Sequence, residues 1–343
     1  VSEEVRGGSM RGSGTTGDRR DDGAAHLPVL VDEVVDLLGV RPGGRYVDAT
    51  LGLGGHTRAV LQASGPNGVV VGLDRDEEAA EIAKARLEDE LGESAGERLI
   101  VRLARFGRLD DVLEELGWGR GEVDGLIADL GVSSYQLDRD ARGFGLDSGS
   151  ELDMRMDRAG ITARELIEEL SVDELAALLQ RFGEEPMARK YSRAMKKAAG
   201  RGELRTGRDL AGVVEKAAGP ARVSRARRHV ATRVFMALRI AVNEELDELD
   251  ALLARGPRWL KRGGRMAVIS FHSLEDRAVK KAFNKLTRPQ ADVPAGLPLR
   301  ESELPRPDFT LVTPKPILPS ADEQQANPRS RSAKMRVLER RAG

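Results

Sequence analysis

Residues 45–74 read RYVDATLGLGGHTRAVLQASGPNGVVVGLD, and this stretch decides the fold. Arg45 to Thr50 is a short apolar run ending in small residues, which predicts a strand, and Gly68 to Asp74 predicts a second, buried one. Between them Gly52, Gly54 and Gly55 mark a tight turn, and His56 to Ala63 has helical spacing. Strand, glycine turn, helix and strand make the first βαβ unit of a parallel sheet. Working outward, Asp76 is expected to cap a charged helix from Glu77 to Leu91. Arg98 to Leu103 predicts a third strand and Val123 to Leu130 a fourth, with helical Asp110 to Leu116 between them. This alternation implies an α/β fold with a doubly wound, mostly parallel sheet.

The alternation then stops. From about Ser133 to Val230 no strand is predicted, but Thr162 to Glu165 and Ser171 to Glu174 are capping boxes that each open an amphipathic helix. The expectation is an inserted all-helical subdomain, 136–230, that splits one domain into 26–135 and 231–343. Beyond it Val234, Leu238, Val242, Leu246, Leu249 and Leu253 recur at three- and four-residue spacing, predicting one long helix laid on the sheet. Gly264 to Ser270 predicts a fifth strand, and Ser273 is expected to cap a helix running to about Lys285. A proline-rich loop from Arg288 to Pro319 then leads to a last strand, Ser332 to Glu339. Residues 1–25, rich in Gly, Ser, Arg and Asp, have little to bury and are expected to form a disordered leader.

Composition narrows the function. With no cysteine, disulfides, thiol catalysis and cysteine zinc sites are excluded. The histidines, His26, His56, His229 and His272, lack local ligand spacing, and no structural metal is expected. No apolar run is long enough to span a bilayer and no signal peptide is evident, so a cytoplasmic protein with no membrane partner is expected. The net charge of −1 conceals asymmetry, because Arg181 to Ile240 holds 16 Lys and Arg against 5 Asp and Glu. That stretch suits a polyanion partner or, equally, a solvated helical surface. The sequence is compatible with a monomer or a homodimer.

The glycine turn followed by Asp74 at the end of the second strand points to a nucleotide-like cofactor, since a carboxylate there can accept both hydroxyls of a ribose. The third glycine of the dinucleotide pattern is missing, and His56 and Thr57 stand at the helix start. A sulfonium amino acid therefore fits better than a pyrophosphate. Phe106, after the third strand, can pack on adenine or in the core. Asp129 ends the buried fourth strand, where a charge needs either a polar ligand or a turn to cap.

Several long blocks carry a resemblance. They are HLPVLVDEVVDLL (26–38), DATLGLGGHT (48–57), GLDRD (72–76), IADLGVSSYQLD (127–138), ATRVFMALRIAVNEEL (231–246), AVISFHSLEDR (267–277) and NPRSRSAKMRVLER (327–340). In these the chain resembles the bacterial 16S ribosomal RNA cytosine-N4 methyltransferases, the RsmH or MraW family. The resemblance implies a Rossmann-like class I methyltransferase with S-adenosylmethionine as cofactor, held by Gly54, Gly55, His56, Asp74, Phe106, Asp129 and Gln136. It also implies the substrate, a cytidine in the decoding region of 16S ribosomal RNA, presented by an assembled small subunit.

A cytosine amine is a poor nucleophile, and an acceptor at its N–H groups both orients the lone pair and receives the departing proton. Asp129 suits that task. Many amine methyltransferases carry an Asp-Pro-Pro-Tyr-like tetrad here, whereas this chain has Asp129, Leu130, Gly131 and Val132, which leaves Tyr135 or Phe144 to stack on a splayed-out base. His272, after the fifth strand, is expected either to relay a proton or to hydrogen-bond its loop. Arg189, Lys190, Arg193, Lys196 and Lys197 cluster on one side of a presumed helix, and Arg329 and Arg331 precede the last strand; all seven are candidates for RNA phosphates. The competing readings are an RNA-binding protein with a vestigial cofactor fold and a methyltransferase acting on another nucleic acid.

Overall fold

The computed structural model describes residues 28–132, 136, 142–288 and 306–342. The expected leader and Tyr135 lie outside these residues. Five parallel strands, β1 (Arg45–Asp48), β2 (Val69–Asp74), β3 (Leu99–Leu103), β4 (Val123–Asp129) and β5 (Leu260–Ser270), are joined by β6 (Phe309–Leu311) and β7 (Lys334–Arg340). The order is β3-β2-β1-β4-β5-β7-β6, with β7 antiparallel to both neighbours. The inner strands read as continuous apolar runs because helices cover both faces, and Val70, Val71 and Leu73 of β2 are fully buried.

On one face Val34 and Leu38 of α1 (Val31–Leu38) pack with Val60 and Leu61 of α2 (Gly55–Ala63) and with Leu87 of α3 (Glu77–Leu91). After a short α4 (Glu93–Arg98), the other face is covered by Leu109 and Leu113 of α5 (Leu109–Glu115). A separate helical core follows in α6 (Ala163–Glu169), α7 (Val172–Gly183), α8 (Ala188–Ala199), α9 (Gly207–Ala218) and α10 (Pro220–Arg225). Leu175, Leu179, Tyr191, Met195, Leu210 and Val214 form its centre. Thr162 and Ser171 cap their helices as full capping boxes, and Thr206 with Asp209 forms a third that the sequence reading missed.

The expected long helix is two helices, α11 (Thr232–Asn243) and α12 (Glu245–Trp259), broken at Glu244, which has φ 54°. Val234, Phe235 and Leu238 of α11 enter the helical core, whereas Leu249, Leu252 and Leu253 of α12 lie on the sheet. The buried Asn243 fixes the break: its Oδ1 accepts the N–H of Met156 (2.8 Å), and its Nδ2 donates to the carbonyls of Met154 (2.7 Å) and Arg239 (2.9 Å). One apolar stripe thus serves two cores. Two further helices are α13 (Ser273–Leu286) and α14 (Ala321–Ala326).

Other expectations need correction. The N-cap of α13 is His272 rather than Ser273, its ring nitrogen accepting the Glu275 N–H. Asp76 stands at the N-cap of α3 but makes no capping bond, because its carboxylate is engaged elsewhere. β5 begins at Leu260, four residues early, and β6 arises inside the proline-rich stretch by pairing with β7. Pro328–Ser332 forms a 3₁₀ turn, so the last strand starts at Lys334.

Candidate active site

The strand order reverses between β1 and β4, and there the carboxyl ends of the strands open into a cavity of ≈ 770 Å³. One wall is the turn after β1 with the ends of β2 and β4. The other comes from Phe235 and Arg239 of α11 and from the 3₁₀ turn before β7.

Asp48 anchors the turn. Fully buried, it accepts the N–H of Thr50 (3.1 Å) and the hydroxyl of Thr57 (2.7 Å), tying β1 to the start of α2. Gly52 has φ +51°, and its N–H donates to Oδ2 of Asp74 at 2.7 Å. Gly55 and His56 line the cavity. Gly54 lies outside that lining; a Cβ on it would fall 2.8 Å from Leu87 of α3, so its close approach is to a helix.

Asp74 accepts a second N–H, from Asp76, at 2.8 Å. Burial pushes its carboxyl up to about 6 against the pull of these two N–H groups, with Asp76 and Asp48 adding to the rise. Each oxygen holds one backbone donor and keeps lone-pair capacity facing the cavity. The neighbouring Asp76 accepts from Nε2 of Gln136 (2.8 Å) and from the buried Arg142 (2.9 Å). Gln136 therefore lines the cavity while bound to Asp76. Arg75 and Arg105, which also line it, both bond Asp157 (2.6 and 3.0 Å); burial opposes ionisation of Asp157, but the two guanidinium groups hold it below the usual carboxylate range. Sequence reading missed this arginine pair, although Arg75 stands inside the quoted GLDRD block. Phe106 lines the cavity and packs against the core beneath.

Asp129 faces the same space from β4. Its N–H donates to the Thr50 hydroxyl (2.7 Å), which couples β4 to the turn. Its Oδ1 is buried with no hydrogen-bond partner, and its Oδ2 lies 3.9 Å from Nδ1 of His56. Burial raises the carboxyl to about 7; His56 opposes the rise, and Asp48 and Glu275 reinforce it.

His272 also lines the cavity, but its geometry is that of a cap. Nδ1 accepts the N–H of Glu275 (3.4 Å), and Nε2 sits 3.1 Å from Glu275 Oε1 without hydrogen-bond alignment. Burial would raise Glu275, yet His272, Arg239 and the Phe271 N–H hold it below the ordinary range. Glu245, His272 and Glu275 bring ligand atoms within 4.8 Å of one another, and Arg239 supplies the positive charge there through two 2.8 Å bonds to Glu245.

The candidates for RNA fall into two groups. Phe144, Arg329 and Arg331 line the cavity; Phe144 is buried and shared with the helical core, while both arginines are exposed. Arg228, just before α11, joins them at the mouth and was not singled out from the sequence. The five basic residues of α8 are absent from the cavity wall. Arg189 pairs with Asp173 at 2.9 Å, and the ammonium of Lys196 donates to the carbonyls of Ile167 (3.0 Å) and Glu168 (2.7 Å), so it closes the last turn of α6. Lys190, Arg193 and Lys197 are exposed.

Comparison with known proteins converges on one family. Residues 23–341 match the model of the MraW methylase family. The chain is 47% identical over 325 residues to the ribosomal RNA small subunit methyltransferase H of Sorangium cellulosum, covering 94% of this chain and 93% of that one. It is 45% identical over 316 residues to the protein of the same name from Syntrophotalea carbinolica, covering 92% and 98%. Among solved structures, a putative rRNA-methylase from Clostridium thermocellum overlaps 90% of this chain and 94% of that chain at 13% identity and a TM-score of 0.38, too loose a likeness to bear on function. The chain, with its carboxylate-lined cavity at the switch point, belongs to the MraW methylase family.

Proposed function

We propose that this protein transfers a methyl group from S-adenosylmethionine to the N4 amine of a cytidine in the decoding region of 16S ribosomal RNA, within the small subunit. The observation that carries the reading is Asp129 Oδ1, a buried acceptor without a donor at the carboxyl end of β4. A buried, unsatisfied carboxylate oxygen costs about 1–3 kcal/mol or more, and an amine N–H presented by the substrate would remove that cost.

The site fits the cofactor. Asp74 has the remaining acceptor capacity for two ribose hydroxyls, Phe106 offers a ring to adenine, and the backbone at Gly52 and Gly55 borders the cavity without side chains. When bound, S-adenosylmethionine supplies a methyl carbon made electrophilic by a sulfonium. The protein's own contribution is alignment and a proton acceptor. Asp129, fixed through its N–H to Thr50, holds the amine so that its lone pair faces that carbon and then takes the proton. Arg228, Arg329 and Arg331 at the mouth suit the RNA backbone on either side of a flipped base.

The decisive experiment is mass mapping of small-subunit RNA from cells lacking the gene. Loss of one N4-methylcytidine, restored by the wild-type gene, is expected; an unchanged RNA refutes the assignment.

A further inference from the structure

We propose that His56 is a second proton station, taking from Asp129 the proton that the amine releases. The inference rests on the reading above, in which Asp129 is the first acceptor. Nε2 of His56 lies 2.9 Å from the carbonyl oxygen of Val29, and a carbonyl can only accept, so the ring hydrogen is on Nε2. The neutral ring therefore turns the lone pair of Nδ1 toward Asp129 Oδ2, 3.9 Å away. Two acceptors face each other with room for one proton between them. His56 is 5% exposed, and its backbone is fixed in the first turn of α2, so the ring is held in place on the cavity wall beside Asp129.

The step balances. As the N4–carbon bond forms and the carbon–sulfur bond breaks, the latter's electron pair stays on sulfur, and the cationic N4 gives one proton to the Asp129 carboxylate. A half-turn of the carboxyl group presents that proton to Nδ1, across a gap closed by side-chain rotation or one water. The result is a His56 imidazolium beside a restored Asp129 carboxylate, and the proton leaves after product release. A purely structural His56 would need only the Val29 bond, which engages the other nitrogen.

The His56→Gln variant separates the two roles, because its amide can still donate to Val29 but has no basic atom facing Asp129. The charges acting on Asp129 are His56 on α2, Asp48 on β1 and Glu275 on α13. Asp48 and Glu275 keep their own partners in the variant, as does Arg239 across the cavity. Loss of the His56 ring, which opposes the rise only when it carries the second proton, should move the Asp129 carboxyl transition, followed by carbon-13 NMR of the full-length protein, upward from about 7. The acid limb of the single-turnover pH profile should move up with it, and the plateau rate should fall about tenfold. Nitrogen-15 NMR of the unaltered protein should show the Nε2–H tautomer, which keeps the proposal testable if the variant does not fold. A uniform rate loss with the Asp129 transition and the acid limb unmoved, or an Nδ1–H tautomer, overturns the proton station. Failure of the underlying reading looks different: Asp129→Asn would then keep the wild-type rate.

Discussion

The carboxyl ends of β2 and β4 each present an aspartate to one cavity, and they differ in what surrounds it. Asp74 is held by two backbone N–H groups, from Gly52 and Asp76, and its loop is tied down further by Asp76 to Arg142 and Gln136. Asp129 has one oxygen with no donor and the other facing a histidine at 3.9 Å. Burial raises both carboxyl groups, to about 6 and about 7. The lesson is that a satisfied acid is built to hold a ligand in place, whereas an orphaned one awaits a donor and a proton.

The contrast breaks first at Asp129. Asp129→Asn keeps the shape but replaces an acceptor with a donor, so the single-turnover rate should fall about 10²- to 10⁴-fold while affinities for S-adenosylmethionine and small subunits change little. An equal loss in cofactor affinity, read by calorimetry, would make Asp129 a second holding group instead. At Asp74 the expected effect is reversed. Asp74→Ala should weaken S-adenosylmethionine at least about tenfold, from lost hydrogen bonds of roughly 1.5–3 kcal/mol each, with smaller change in rate at saturating cofactor.

A second pair of regions sharpens the same account, the mouth arginines against α8. Arg329→Glu with Arg331→Glu should weaken subunit binding and lower the slope of log affinity against log salt by about 2. Lys196→Glu should leave that slope unchanged and instead cost stability, about 1 kcal/mol by thermal melting, because it opens the end of α6. A flattened salt dependence in Lys196→Glu would return the RNA path to α8.

A further effect is on stability against pH. The Asp129 carboxyl stands near 7 in the folded protein against an ordinary 3.8, so its protonated form favours the fold. That stability is present below about pH 4 and is lost as the pH rises through about 7. Asp129→Asn should therefore raise the melting temperature more at about pH 8 than at about pH 5. A constant difference between the two would mean that Asp129 is not buried as an acid.

Much of this was legible in the sequence where cause and effect are close along the chain. Asp48, the glycine turn and Thr57 lie within ten residues, and the Thr162 and Ser171 capping boxes within four. The break at Glu244 was hidden because the apolar spacing runs straight through it and glutamate is a good helix former; what enforces it is Asn243 bonding to Met154 and Met156, nearly ninety residues earlier. The diversion of Asp76 from its cap, and the partner of Arg75 at Asp157, are likewise contacts across 60 residues or more. Ser273 lost the capping role because the ring of His272, one residue earlier, reached the Glu275 N–H. In the α8 cluster, nothing in the spacing reveals that Lys196 ends on the carbonyls of α6.

The most direct test of the central claim is a single-turnover reaction of the purified protein with methyl-labelled S-adenosylmethionine and small ribosomal subunits lacking the modification, followed by digestion and identification of the labelled nucleoside. N4-methylcytidine at one position, formed by the wild type and nearly abolished in Asp129→Asn, is the predicted result. Label in any other nucleoside, or equal yields from the two proteins, would contradict it.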